Sequence, residues 1–381
     1  MLLVSASLLL KSFTALRHMD KGFRSDHLLT MQLELPQSRY PDARQRIAFF
    51  ADLHDRLSAL PGVVSIGLVR LLPILGNTPQ SRGGSPFSIE GRPWNPNSAV
   101  PQIAHTPSAD PDYFRTMRIP LLAGRVFTNA DTASSPPVAV INETLARTFF
   151  PQGALGEHIM LGALHDVFPW LTIVGIVGDV QDAGLDAPHV PQFYTALAQE
   201  APPFIAIVLR TTGDPEQMAH AAVAAVQSID RDRPVYYVES MEQRIAATTS
   251  EPRFETVIVA FFALAALFLA AIGIFGVVAH FTAQRTREIG IRMALGADHA
   301  RVVRHVMRSG LRPVLLGAIL GIAGALAAGK LLAALLFHVN PSDPATFLMA
   351  SAVLLAVALV ACLIPARRAT QIDPARALGS E

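Results

Sequence analysis

Residues Val257 to Ala279 read VIVAFFALAALFLAAIGIFGVVA, 23 residues without a charge. As an α-helix they reach about 35 Å, enough to cross a hydrocarbon core of about 30 Å. A buried core helix needs a shorter run. Pro313 to Phe337 is a second such run, interrupted only by Lys330, and Ala345 to Ile364 is a third with no charge at all. Lys330 lies seven residues before the end of its run. Its ammonium can snorkel to an interface or pair inside a bundle. A fourth apolar run, Leu2 to Leu10, opens the sequence and stops at Lys11. It is half the length of a span and lacks the basic residues that precede a signal peptide's apolar core. It reads as the outer end of a membrane helix that starts upstream, or as a short interfacial anchor.

Charge divides the chain at the same place as hydropathy. Residues 1–253 hold 20 Lys+Arg and 24 Asp+Glu, a net of −4, and residues 254–381 hold 11 and 6, a net of +5. The connector after the first long span carries Arg285, Arg287, Arg292, Arg301, Arg304, Arg308 and Arg312, and the tail carries Arg367, Arg368 and Arg376. The turn from His338 to Pro344 has neither Lys nor Arg. The positive-inside rule then puts residues 280–312 and 365–381 in the cytoplasm, with the turn and the large polar domain outside. The expected organisation is a shortened first helix over 1–13, an outer domain over 14–253 and a membrane domain over 254–381. The membrane domain's helices are expected near 256–280, 313–337 and 345–365, with a cytoplasmic helix near 284–296.

Composition supports this division. Of 381 residues, 51% are hydrophobic and only 16% charged, against about a quarter charged in soluble domains. Mean hydropathy is +0.37. Disorder is excluded. The net charge of +1 gives no field that would gather a polyanion, so nucleic acid is not an expected partner. The single cysteine, Cys362, excludes an intramolecular disulfide and a cysteine metal cluster.

The outer domain reads as α+β, in two small α/β subdomains. Leu29 to Leu35 alternates with period two, a strand with one buried face. Pro41 to Leu60 reads as a helix with Ile47, Phe50, Leu53, Leu57 and Leu60 on its apolar stripe, stopped by Pro61-Gly62. Val63–Val69, Pro137–Ile141, Thr172–Val177, Phe204–Leu209 and Pro234–Val238 read as further strands. Asn142 caps a helix through Phe149, and Asp214-Pro215 opens one through Ile229. Residues 73–107, rich in Pro, Gly, Ser and Asn, read as a long surface excursion. The membrane domain reads as all-α.

No stretch carries a persuasive active site. Gly324 to Gly329 followed by Lys330 imitates a phosphate-binding loop, but Leu331 stands where Ser or Thr must hold magnesium, and the stretch lies inside an apolar span. Small residues there, Gly317 and Gly321 included, suit close helix packing. His158, His165 and Asp166 lack the i, i+4 pairing of a metalloprotease helix. The pairs Asp110/Asp112 and Asp230/Asp232 sit beside turn residues, where carboxylates cap backbone groups. No catalytic, cofactor-binding or metal-binding residue is nominated.

The informative stretch is Gln284 to Ala297, QRTREIGIRMALGA. As a helix it sets Ile289 and Met293 on one stripe and Ile291 and Leu295 on the next, with Arg285, Glu288 and Arg292 on polar faces, and stops at Gly296. A second amphipathic helix follows from Asp298, with Val302, Val303, Val306 and Met307 on its apolar side. Physics alone allows two readings: a helix lying on anionic lipid, or a docking helix that offers an apolar ridge to a partner's groove.

This stretch resembles the signature between the second and third membrane helices of the MacB/FtsX superfamily of ABC transporter permeases. Pro365-Ala-Arg-Arg-Ala369, with Asp373-Pro374 and Ala377-Leu378, resembles that family's tail. Asp112 to Thr116, Ile119 to Arg125, Val140 to Thr144 and Ile173 to Val180 resemble its MacB-like periplasmic core. The likeness is strongest to one half of a duplicated permease of the acidobacterial type. It implies a non-enzymatic subunit with no cofactor of its own, ATP being bound by a partner ABC ATPase. The implied work is efflux or mechanotransmission, in which nucleotide-driven movement inside becomes movement of the domain outside. The implied location is a bacterial inner membrane, crossed several times, with the large domain periplasmic. The implied partners are that ATPase, a second permease half or a second copy, the bilayer and a periplasmic adaptor. By the same resemblance Arg285, Arg287, Glu288, Ile289, Gly290, Ile291, Arg292, Met293 and Gly296 form the ATPase-coupling helix. A membrane-anchored binding or sensing module without energy coupling is the alternative. An anchored extracytoplasmic enzyme would need a paired nucleophile and base, and a secondary transporter would need charges near the membrane midplane.

Overall fold

The computed structural model describes residues 2–74, 84–92, 94–95, 97–162, 168–182, 188–248, 250–284, 307, 314–327 and 343–369. The chain divides into two compact units. One is Met19–Thr249, and the other is Met1–His18 together with Ser250–Glu381.

The outer unit is built on one mixed sheet that carries two separate cores. Its first lobe holds strands β1 (Leu28–Glu34), β2 (Val63–Val69), β11 (Phe204–Thr211) and β12 (Val235–Ser240), all antiparallel in the order β12-β1-β11-β2. β1 is buried on both faces over Leu28 to Met31, where its alternation predicted a single buried face. The polar member, Thr30, is tolerated inside because its hydroxyl donates to the Glu239 carbonyl at 3.0 Å. The helix Ala43–Ser58 buries Phe49, Phe50, Leu53 and Leu57 in this core, each contributing about 2 kcal/mol of transfer free energy. Ile47, predicted on the same stripe, is only partly buried. The helix begins because the Asp42 carboxylate accepts from the Gln45 N–H at 2.8 Å, and no β-branched run interrupts its periodicity. A second helix, Pro215–Ile229, starts at the Asp214 cap and adds Ala222 and Val226 to the same core.

The second lobe is inserted between β2 and β11. Its strands are β3 (Ser85–Ile89), β4 (Ile103–Ala104), β5 (Ser108–Ala109), β6 (Leu121–Gly124), β7 (Val138–Asn142), β8 (His158–Leu161), β9 (Leu171–Val177) and β10 (Phe193–Ala196). The sheet continues β2-β5-β10-β7-β9-β8-β3-β4, with β6 on the edge of β9. Phe87, Ile141, Leu145, Phe149, Ile159 and Phe193 fill this lobe's core. Phe87 packs edge-on against both Phe149 and Phe193. Residues 73–107 are therefore not merely a surface excursion. β3 within them is pinned by register with β8, Phe87 opposite Leu161 and Ile89 opposite Ile159. Along β9 buried and half-buried residues alternate. Asn142 caps the helix Glu143–Phe149 through the Leu145 N–H at 2.9 Å.

The second unit is helical throughout its described residues, with helices Leu2–His18, Ser250–Gln284, Val314–Ala327 and Pro344–Ala369. Two of these are long and apolar enough to cross a membrane, at Val257–His280 and Pro344–Ile364. The first helix runs on past Lys11 to His18, and the last continues through Pro365 to Ala369. Val4 and Leu8 pack with Ala325, Phe347 and Ala350. Lys11 Nζ lies 2.6 Å from Asp343 Oδ2, which also accepts from the Thr346 hydroxyl at 2.6 Å. Lys330, Gly329 and Leu331 lie outside the described residues.

Candidate functional site

The helix Ser250–Gln284 leads into the stretch that the sequence singles out. Phe261, Phe262, Phe268 and Leu269 on it are all more than half exposed. A helix apolar on every side, with large side chains such as these left uncovered, suits lipid contact. It ends in polar residues, with Gln284 Nε2 and His280 Nε2 3.0 Å apart. Arg285, Arg287, Glu288, Ile289, Gly290, Ile291, Arg292, Met293 and Gly296 follow directly, and all lie outside the described residues. Met307, further along, packs with Ile274, Val278 and Cys362. Gly317 and Gly321 were expected to bring helices into close packing. Instead both line an apolar cavity of about 450 Å³ with Gly273, Ile274 and Ala350, and a Cβ at Gly317 would meet nothing within 4 Å.

The outer unit buries one of the acids that the sequence reads as a capping carboxylate, and that burial was not foreseen. β5 is followed by Asp110, whose N–H donates to the Leu68 carbonyl at 2.9 Å. Its residue is 8% exposed, and its Oδ1 has no hydrogen-bond partner among the described residues. Burial pushes the Asp110 carboxyl up to about 8, and the Asp112 charge adds to this, against the pull of nearby backbone amides. Tyr113 beside it is raised by burial and by the charges of Asp182 and Asp110, and Tyr194 is raised by burial first. Asp182 pairs with His105 Nδ1. A histidine–carboxylate pair needs a nucleophile on its other ring nitrogen for acyl-transfer chemistry, and among the described residues none is bonded there. An acid protonated at neutral pH with no reacting group beside it is a structural element.

The other acids flagged in the sequence serve as ties. Asp112 lies 2.9 Å from Arg115 and 3.3 Å from His54. Asp230 accepts from Arg39 at 2.8 Å, Arg233 at 2.9 Å and the Tyr40 hydroxyl at 3.2 Å. Burial alone would raise its carboxyl, but bonds from the Asp232 amide, Tyr40 and Arg233 outweigh this and hold it low. Asp232 is exposed, 3.5 Å from Arg39. His158 pairs with Glu90 at 2.9 Å, while His165 and Asp166 lie outside the described residues. Among the described residues, no three His, Cys, Asp or Glu side chains gather as a metal site.

Comparison with known proteins gives two family matches in chain order. Residues 15–225 match the MacB-like periplasmic core domain, and residues 260–374 match the FtsX-like permease C-terminal domain. The chain is 25% identical over 339 residues to the pyoverdine export ATP-binding/permease protein PvdT of Pseudomonas putida, a match over 84% of this chain and 48% of that protein. It is 26% identical over 293 residues to the macrolide export ATP-binding/permease protein MacB of Sodalis glossinidius, over 71% of this chain and 42% of that protein. The chain thus spans less than half the length of these relatives. Among solved structures, the periplasmic region of MacB from Actinobacillus actinomycetemcomitans matches at 15% identity and a TM-score of 0.38. That match covers 61% of this chain and 97% of that one. The extracellular domain of the ABC-type transporter YknZ from Gram-positive bacteria matches at 11% identity and a TM-score of 0.34, over 56% and 97%.

Proposed function

The chain belongs to the MacB/FtsX-type ABC transporter permeases, and from that premise we propose that it couples ATP hydrolysis by a partner ABC ATPase to movement of its outer domain. In this reading ATP binds the partner, and this chain supplies the membrane path and the moving part. The outer domain is periplasmic, the membrane is a bacterial inner membrane crossed several times, and a second permease half or a second copy completes the channel-side assembly. A periplasmic adaptor would receive the outer domain.

The observation that carries the reading is the position of residues 285–296. They lie inside the FtsX-like match and follow by a few residues a 24-residue apolar span most of whose side chains are uncovered. If that stretch continues as a helix, its pattern of Ile289, Ile291 and Met293 between charges would suit it to pass force from a cytoplasmic partner. Arg287, Glu288 and Arg292 would set its orientation in the partner's groove.

Glu288→Lys tests this. Removing a charge partner at an interface costs about 2–5 kcal/mol, which is tenfold in affinity for every ~1.4 kcal/mol. The expected result is loss of the ATPase from a pull-down of detergent-solubilised protein, with membrane insertion and the outer domain's melting curve unchanged. Equal recovery of the ATPase with both proteins would remove the helix from this role and favour an anchored sensing module.

A further inference from the structure

The two lobes of the outer unit meet where the sheet is narrowest. β2 pairs with β11 over six residue positions, but with β5 at only one, Val69 opposite Ala109. β5 in turn pairs with β10 over Ser108 and Ala109 alone. The chain changes cores at the same place. Phe193 on β10 lies in the second lobe's core, and Leu197, one helical turn later, lies in the first lobe's core. Over this seam stands Glu200, the last residue of the short helix Leu197–Glu200. Its Oε1 accepts from Arg70 Nη1 at 2.6 Å, just past the end of β2. Its Oε2 accepts from the Thr195 hydroxyl on β10 at 2.7 Å and from the Ser108 hydroxyl on β5. One carboxylate therefore holds all three strands of the seam, and Ser108 is fully buried beneath it.

The chain's path loads this seam. The N-terminal connector after His18 meets the second lobe first, because the Gln181 N–H donates to the Lys21 carbonyl at 3.0 Å. Gly22 is pressed so closely on Asp179 that a Cβ there would lie 1.8 Å from its carbonyl oxygen. The C-terminal exit leaves from the first lobe, because the helix Met241–Thr248 follows β12 directly and packs on β1 and β12. Displacing the two connectors relative to each other would strain the two lobes against each other.

We propose that Glu200 is a clasp that fixes the relative orientation of the two lobes of the outer unit, and that the inserted lobe turns about the β2–β5–β10 seam when the clasp is opened. The Gln181–Lys21 bond and the backbone bonds of β5 remain in that event, so the lobe loosens without detaching. The carboxylate is well suited to this work. Charge-assisted bonds are the strong ones, yet this group is one-third exposed and can exchange its partners for water.

The test needs no ATPase, so it stands or falls apart from the coupling reading. Spin labels are placed at Ala51→Cys on the first lobe and Gln152→Cys on the second in full-length Cys362→Ala protein in nanodiscs. Interlobe distances are then measured by pulsed electron resonance. The expected result is one narrow distance distribution for the labelled parent. In Glu200→Gln a second population should appear, raised roughly tenfold for the loss of one charge-assisted bond. The double variant Ser108→Ala/Thr195→Val should show the same population with Glu200 intact, which covers the case in which Glu200→Gln does not fold. Glu239→Gln cuts an ion pair with Arg244 inside the first lobe and should leave the distribution narrow. An unchanged distribution in folded Glu200→Gln, or equal broadening in Glu239→Gln, would overturn the proposal.

Discussion

Asp110→Asn should stabilise the outer unit, and only above about pH 4. The side chain is buried, one of its oxygens has no partner among the described residues, and burial pushes its carboxyl from the ordinary 3.8 up to about 8. Below pH 4 the acid is protonated in folded and unfolded chains alike and adds no pH dependence. As pH rises the unfolded chain releases its proton while the folded chain keeps it. Stability then falls by about 1.4 kcal/mol per pH unit until the folded acid also ionises near pH 8. At pH 7 the penalty reaches an upper limit of about 4 kcal/mol, or roughly 10 °C of melting temperature for a unit of this size. Asparagine keeps the shape of the side chain and removes the charge. The assay uses the chain's two tryptophans, Trp94 and Trp170, which both lie in the outer unit, so their fluorescence reports its unfolding even in the intact protein. Melting curves of parent and variant in nanodiscs at pH 4.5, 6 and 7.5 should diverge steadily with pH. Their difference cancels Asp112, His105, Asp182 and every other group the two proteins share. A difference that stays constant across this range would refute the argument that Asp110 is held protonated by burial.

Two further outcomes follow from the same chain. Arg210 is buried and donates to the carbonyls of Thr116, Asp26 and Arg24 at 2.8, 2.7 and 2.8 Å. Arg210→Leu leaves three carbonyls without their donor, one of them on buried Thr116, and should cost about 1–3 kcal/mol, read as a lower urea midpoint of tryptophan fluorescence. Arg210→Lys should recover only part of that loss, because one ammonium does not span three carbonyls in fixed fork geometry. From the arginine distribution, a topology reporter fused after Gly296 should behave as cytoplasmic and one at Asn97 as external. Finding both on one side would sink the assigned orientation.

What could be read from the sequence was what local physics decides. The helices Ala43–Ser58, Glu143–Phe149 and Pro215–Ile229 announce themselves through Asp42, Asn142 and Asp214, each of which caps a backbone N–H two or three residues on. The apolar spans were legible because the bilayer is a uniform partner and hydropathy alone describes the contact. β5 was not legible. Two residues, Ser108 and Ala109, carry no periodicity, and they become a strand only because Thr195 and Ala196 arrive beside them. The burial of Asp110 was missed for the same reason. Between Ala109 and Pro111 it has the local setting of a turn residue, and its burial is decided by two lobes closing around it.

The same division governs the functional residues. Under the proposed coupling role, residues 285–296 are legible because a docking helix would carry its recognition in contiguous sequence, with apolar and charged positions at fixed spacing. A clasp has no such requirement. Arg70, Ser108, Thr195 and Glu200 share no motif, and Glu200 lies 130 positions from its arginine partner. Their relation exists only once the inserted lobe has folded and returned the chain to the first core at Leu197. Any device that senses the relative position of two lobes has to be assembled this way, from residues supplied by both. If the chain transmits force as proposed, the part that would receive it is written in the sequence, while the part that would yield to it emerges from the fold.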